Sequence, residues 1–168
     1  MTMVSAPDSL YCADLDCSTP NDPQRSTCIQ CGLPLLRRYL WLASSPRSQE
    51  LPQTPIGQVL ENRYRVIRDR VLLDSQPASS PTFPPDIPER WLPYFRLFGS
   101  FGIPRIYGVL SPQYNSVLLL ESSAVYTLPL PDPTAGVEPG QLMPRLIDAW
   151  PQAGPHRQLS WLWQLMRF

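Results

Sequence analysis

Four cysteines are the residues in this 168-residue chain whose type and spacing point to a definite chemistry. Cys12 and Cys17 form a C-x4-C pair, and ten residues further on comes Cys28-Ile29-Gln30-Cys31, followed directly by Gly32. Two pairs of thiolates meet the tetrahedral, all-protein coordination that Zn²⁺ takes in structural sites. Gly32 permits the tight turn that aims backbone N–H groups at thiolate sulfur, and Pro20, Asn21, Asp22 and Pro23 supply the loop between the pairs. Two disulfides or reduced, buried thiols are the alternatives to a metal. Against both, the chain reads as cytosolic, and a head of about 25 residues builds no core without a staple. Iron in a rubredoxin-like site remains as the residual alternative, since four thiolates also hold iron, although redox sites typically use two C-x2-C knuckles. The reading is a structural zinc held by Cys12, Cys17, Cys28 and Cys31. Four protein ligands leave no position open for water, and a binding energy of about 10 kcal/mol or more is then the folding energy of the head.

Catalytic signatures are missing from the remainder. His156 is the single histidine and sits beside Pro155 and Arg157 at an expected helix start, where a structural role is the ordinary one. No G-x-G-x-x-G or P-loop occurs, and Gly99-Ser100-Phe101-Gly102 reads as a turn. Asp69, Asp74, Asp86, Asp132 and Asp148 are scattered at turns and helix ends, where capping and solvation account for them. All 14 basic residues are arginine, so chemistry that needs a lysine amine is excluded. Those 14 balance 14 acidic residues, and zero net charge gives no electrostatic reason to expect a nucleic-acid binder. No run of 18 apolar residues and no basic, then apolar, leader is visible, so neither a membrane span nor a signal peptide is expected and the cytoplasm is the default location.

The elements follow from composition and period. Proline, at 22 residues, forbids long uninterrupted helices and makes an all-helical bundle improbable. Three zones result: a cysteine-bearing ribbon over 11–36, a Pro/Ser-rich linker over 37–55, and a globular lobe over 56–168. Arg63 to Arg68 alternates polar and apolar, with Val71-Leu72-Leu73 within hairpin reach, which predicts an antiparallel pair whose Arg63, Arg65 and Arg68 face solvent. Residues 77–88 and 129–139 are proline-rich loops, and 89–98 is a short helix limited by Pro93. Residues 105–110 and 117–121 predict two further strands, and 141–150 and 155–168 two helices. On the last helix Leu159, Leu162, Trp163 and Met166 form one stripe that Trp161, Leu165 and Phe168 broaden, with core packing expected ahead of an exposed recognition face. That helix stops on an apolar residue without a cap, which suggests a fragment.

Some of these pieces carry a resemblance. Tyr11-Cys12, Cys17 and Cys28-Ile29-Gln30-Cys31-Gly32-Leu33-Pro34-Leu35 resemble the zinc ribbon of cyanobacterial four-cysteine Ser/Thr kinases, and Asn62 to Ile67 resembles the opening of their first kinase strand. Ile103 to Leu110 and Val117 to Glu121 resemble the fourth and fifth strands that lead to the kinase hinge. The glycine loop, the ATP-binding lysine, H-R-D and D-F-G are all missing, and Glu89 has no lysine to pair with. A closer resemblance is to the regulatory N-terminal region of cyanobacterial type-2C (PPM) protein phosphatases, carried by Arg70 to Pro77 and Trp161 to Leu165, with the phosphatase's own metal-binding aspartates absent.

The resemblance implies an α+β chain: a zinc ribbon followed by an antiparallel-sheet lobe with helices, like a degenerate protein-kinase N-lobe. It implies a non-catalytic regulatory or interaction module, the front of or a relative of a Ser/Thr phosphatase or kinase signalling protein, working on a protein partner or a covalently linked phosphatase domain. Zn²⁺ is the expected cofactor; nucleotide, membrane and nucleic acid are not expected partners. The alternative is a zinc-ribbon nucleic-acid adaptor using Arg25, Arg37, Arg38 and the arginines from Arg63 to Arg70.

Overall fold

The structure, a computed structural model, describes residues 9–43, 54–81, 83–96, 104–114, 117–121, 125, 140–143 and 145–165. Strands β1 (Leu10–Tyr11) and β2 (Pro20–Asn21) pair antiparallel in the cysteine head. Strands β3 (Arg38–Ala43), β4 (Val59–Leu60), β5 (Tyr64–Arg68), β6 (Val71–Asp74), β7 (Ile106–Val109) and β8 (Leu118–Leu120) make one sheet in the order β4-β5-β6-β3-β8-β7. Every neighbouring pair in it is antiparallel. The chain is a mixed α and β fold built on that sheet.

The two expected hairpins are present as β5–β6 and β7–β8. What joins them is β3, which pairs Leu40 with Leu72 on one side and Leu42 with Leu119 on the other. Composition assigns residues 38–43 to the linker; they form a central strand instead. Leu40 and Leu42 enter the core of the inner face, while Tyr39 and Trp41 pack on the outer face with Val71 and Leu73. A strand buried on both faces loses the period-2 alternation that marks a half-exposed one, and β3, unlike β6, has no alternating strand within hairpin reach to reveal it.

Two β-bulges shape the sheet, one between Val66 and Arg68 and one between Ile106 and Gly108. A bulge sharpens the right-handed twist and re-aims a side chain. The second bulge occurs at Tyr107, which is buried in the inner core. Its hydroxyl donates to Asp74 Oδ2 on β6 at 2.6 Å. Two strands, β3 and β8, lie between β6 and β7, so on a flat sheet that gap would be roughly 14 Å, beyond the joint reach of the two side chains. The sheet is therefore curled. At the rim, the turn between β4 and β5 places Glu61 Oε1 2.6 Å from the Ser111 N–H, a clip between the two edges of the sheet. In the three-residue connection between Leu60 and Tyr64, Glu61 (φ 51°) and Asn62 (φ 54°) are both left-handed, as the central pair of a type I′ turn closed by the Arg63 N–H on Leu60 O at 3.0 Å requires.

Inside the curl, Asp74 has no exposed surface. Arg63 grips it with Nε at 2.8 Å from Oδ1 and Nη2 at 3.0 Å from Oδ2, and the Gln76 N–H donates to Oδ1 at 2.9 Å. Arg38 Nη1 donates to the Tyr107 hydroxyl at 3.0 Å. Arg63, expected to face solvent, is instead largely buried, with a side chain 11% exposed. Asp74, expected at a turn, ends a strand whose four residues are all buried.

The expected helix over 89–98 is a 3₁₀ turn at Glu89–Trp91 running into α1 (Leu92–Arg96), anchored on the outer face by buried Trp91. Pro93 falls in the first turn, where its missing N–H costs nothing. Over 141–150 the helix shrinks to α2 (Leu146–Ala149), while Leu142 bridges to Val125. Pro144 disfavours helical backbone at the residue before it. Helix α3 covers Pro155–Leu165. Its expected packing into the core does not occur: Leu159 is 64% and Trp163 59% exposed, and Leu162 is exposed too. Among the described residues Trp91, Ile87 and Phe95 pack on one half of the outer face and Val125 on the other, and α3 takes neither place. Met166 and Phe168 of the stripe, the loop at 129–139 and the turn at 99–102 lie outside the described residues.

Asp74→Ala leaves Arg63 buried without its counter-charge and is expected to cost about 3–5 kcal/mol, against about 1–2 kcal/mol for Tyr107→Phe. Urea unfolding midpoints, at unchanged slope, measure both; equal and small losses would show that the buried cluster does not hold the curl.

Candidate metal centre

The head is built around its cysteines. Cys12 follows β1, Cys17 ends the first loop, and Cys28 and Cys31 flank a tight turn closed by Gly32 N–H to Cys28 O at 3.1 Å. Gly32 takes φ 74°, the left-handed backbone its position requires. The first loop is turned by Asp14, whose Oδ1 accepts from the Asp16 N–H and whose carbonyl accepts from the Cys17 and Ser18 N–H groups. Leu10 and Leu35 pack with Cys12 and Cys28 into a small apolar cluster. That is all the core the head has.

All four Sγ atoms lie within 4.8 Å of one another. Cys12 and Cys31 are 3.6 Å apart at sulfur, and Cys17 and Cys28 3.7 Å. Four sulfurs each about 2.3 Å from a central ion stand about 3.8 Å apart along a tetrahedron's edges, so the donor set fits a metal ion. The four expected ligands are brought together, and they make a cluster able to hold one. The spacing serves zinc and iron equally. Cys12 and Cys28 are buried, Cys17 is half-buried and Cys31 is exposed.

Protonation in the cluster is uneven. The Cys31 N–H holds the Cys28 thiol down, to about 6, against the cost of burial and with help from the Gln30 N–H and the Asn21 amide. Cys31 goes the other way: the Leu33 N–H favours its thiolate, but burial and the three neighbouring thiols push it up to about 12. For Cys12 the Asp14 N–H favours the thiolate, yet burial together with Cys28 and Cys17 leaves it raised. Cys28 thus ionises ahead of Cys12 and Cys31. Further thiolates accumulate only with a cation between them, as metal binding that releases protons requires.

Asn21 is the residue that sequence reasoning missed. It is one of the few buried polar side chains, donating from Nδ2 to Thr19 O at 2.7 Å and to Cys28 Sγ at 3.6 Å while its Oδ1 accepts the Ile29 N–H at 2.8 Å. It ties β2 to the second knuckle and orients one ligand. Nothing in Pro20-Asn21-Asp22-Pro23 separates it from an ordinary turn residue. Thr19 Oγ1 lies 3.2 Å from Cys17 Sγ and supports the first pair in the same way.

No protein family, no curated protein and no solved structure matches the chain. No helix among the described residues is long and apolar enough to cross a membrane.

Asn21→Ala is expected to weaken metal binding about 10–100-fold, the usual cost of removing a group that orients a ligand. Competition with a chromophoric chelator measures it. Affinity falls as pH falls, because protons displace the ion, and the slope gains one further proton below about pH 6, where Cys28 also arrives protonated. A pH-independent affinity would exclude coordination by these thiols.

Proposed function

We propose that this chain is a zinc-stapled, non-catalytic interaction module, working as the regulatory front of, or a relative of, a Ser/Thr phosphatase or kinase signalling protein. The observation that carries the reading is the closed cysteine cluster. Among the described residues it is the one group of three or more His, Cys, Asp or Glu side chains close enough together to hold a metal. An ion with four protein ligands has no position for water or substrate, so the site stabilises and does not react. Zinc suits the C-x4-C arm better than iron, whose redox sites favour paired C-x2-C knuckles.

The rest of the chain supports a binding role. The buried charges, Arg63 and Asp74, are satisfied by each other and by fixed hydrogen bonds, which is structural use. Trp163 of α3, exposed along with Leu159 and Leu162, is a residue type that anchors protein partners. In the nucleic-acid alternative Arg63 would contribute to a basic face, but Arg63 is committed to Asp74 inside the sheet.

Elemental analysis of the purified chain is expected to give one zinc per polypeptide, and assays with ATP and with p-nitrophenyl phosphate plus Mn²⁺ to give no turnover. Turnover that survives Cys12→Ser would make the chain an enzyme, and stoichiometric iron would replace the zinc reading.

A further inference from the structure

The two short sulfur contacts run across the head rather than along the chain. Cys31 Sγ lies 3.6 Å from Cys12 Sγ and Cys17 Sγ 3.7 Å from Cys28 Sγ, so each contact joins the first arm to the second knuckle. Each pair also sets a more accessible residue against a buried one. Cys31 is exposed and Cys12 buried, while Cys17 is half-buried and Cys28 buried. A cluster of four protein ligands leaves a substrate no open position, yet solvent reaches Cys31 fully and Cys17 in part.

Bonded sulfurs stand about 2.05 Å apart, so each pair has to close by roughly 1.6 Å to form a disulfide. Bonds at Cys12–Cys31 and Cys17–Cys28 would be nested, the second loop lying inside the first. Both would tie the first arm to the second knuckle, which is the connection a central ion makes. Pairing along the chain, Cys12 with Cys17 and Cys28 with Cys31, would close two small rings and leave the arms without a covalent link. The buried cluster of the head has only Leu10 and Leu35 besides its cysteines to hold them together.

We propose that the head has a second, metal-free staple: a peroxide oxidises the four thiolates to nested Cys12–Cys31 and Cys17–Cys28 disulfides, and the head keeps its fold while giving up its capacity to hold a cation. The accessible sulfur of each pair takes the oxidant and the buried one resolves it. At Cys31 the thiolate attacks the peroxide; the O–O bond breaks, an S–O bond forms and hydroxide leaves. The Cys12 thiolate then attacks that sulfur, the S–S bond forms, the S–O bond breaks and a second hydroxide leaves. Two protons from solvent turn both hydroxides to water, and a second peroxide does the same at Cys17 with Cys28. A net negative centre becomes a neutral one. The role of this switch rests on the regulatory reading proposed above, to which it adds an input, while its chemistry rests on the thiol geometry and not on which ion the thiols hold.

The test is treatment of the full chain with hydrogen peroxide, once loaded with zinc and once after chelation, followed by tandem mass spectrometry of fragments cut at Asp14, Asp16 and Arg25. Both samples are expected to lose four hydrogen masses and to show the nested connectivity, the loaded one with release of its zinc to a chromophoric chelator. Amide shifts of Leu10, Asn21 and Leu35 are expected to stay dispersed, and dithiothreitol to restore the four thiols. In urea, where closeness along the chain decides, Cys28–Cys31 and Cys12–Cys17 are expected instead. Either of the other two connectivities under native conditions, oxidation to sulfinic acid, or collapse of the head's shifts would overturn the proposal. Nested disulfides in a chain that never takes up zinc would remove the zinc reading and keep this one; stoichiometric zinc without nested disulfides would do the reverse.

Discussion

A carboxylate with no exposed surface, Asp74, is the constraint on which the shape of the sheet depends. Two oxygens offer about four lone pairs, and all four are met: Oδ1 by Arg63 Nε and the Gln76 N–H, Oδ2 by Arg63 Nη2 and the Tyr107 hydroxyl. Removing the Arg63 charge leaves a buried carboxylate unpaired, at a cost comparable to a large share of a small domain's stability, and removing a neutral donor costs less. The Tyr107 bond is made across two intervening strands, so the demand for a fourth donor becomes a demand on geometry. The sheet satisfies it by curling, and the bulge at Tyr107 supplies the local twist. Arg63 then turns its other N–H groups to the carbonyls of Gln76, Ser79 and Ser80, which fixes the proline-flanked loop after β6.

The cysteine head depends on a similar economy of donors at smaller scale. Its buried apolar cluster has four residues, and two of them are the cysteines Cys12 and Cys28 themselves. Backbone N–H groups from Cys31 and Gln30, with the Asn21 amide, favour the Cys28 thiolate, while burial and the neighbouring thiols disfavour those of Cys12 and Cys31. The head is fastened to the sheet by the Tyr11 N–H on Ser75 O at 2.8 Å, one residue beyond Asp74, and the Arg37 contacts hold its second loop against the start of β3.

What could be read in the sequence was whatever rests on spacing or on one-sided burial. The four thiols reveal themselves because their ligand geometry is written in residue intervals, and β5 with β6 because Tyr64 and Val66 face the core while Arg65 and Arg68 do not. The strand β3 was hidden because it is buried on both sides and its partners β6 and β8 lie far along the chain, with no hairpin neighbour to mark it. Asp74 was hidden because an aspartate before Ser75-Gln76-Pro77 has the local look of a turn, and only the distant Arg63 and Tyr107 make burial tolerable. Asn21 was hidden likewise, since its partners are sulfur and a backbone amide across a loop. The exposed face of α3 was misread for a different reason: periodicity reports that a helix has an apolar stripe, not whether the fold has a surface free to receive it.

The central place of β3 also sets the order of events when the chain is made. Its residues emerge early, directly behind the head, but their partners, Leu72 and then Leu119, come much later in the chain. Until both hairpins have formed, Tyr39, Leu40, Trp41 and Leu42 are an apolar segment with two open hydrogen-bonding edges, the sort of exposed segment that seeks foreign partners. Because such distant pairings must bear the entropy of closing long loops before any contact repays it, the sheet belongs among slow-forming topologies. A nascent head already folded around its four cysteines would hold one end of that segment fixed while the rest of the chain arrives.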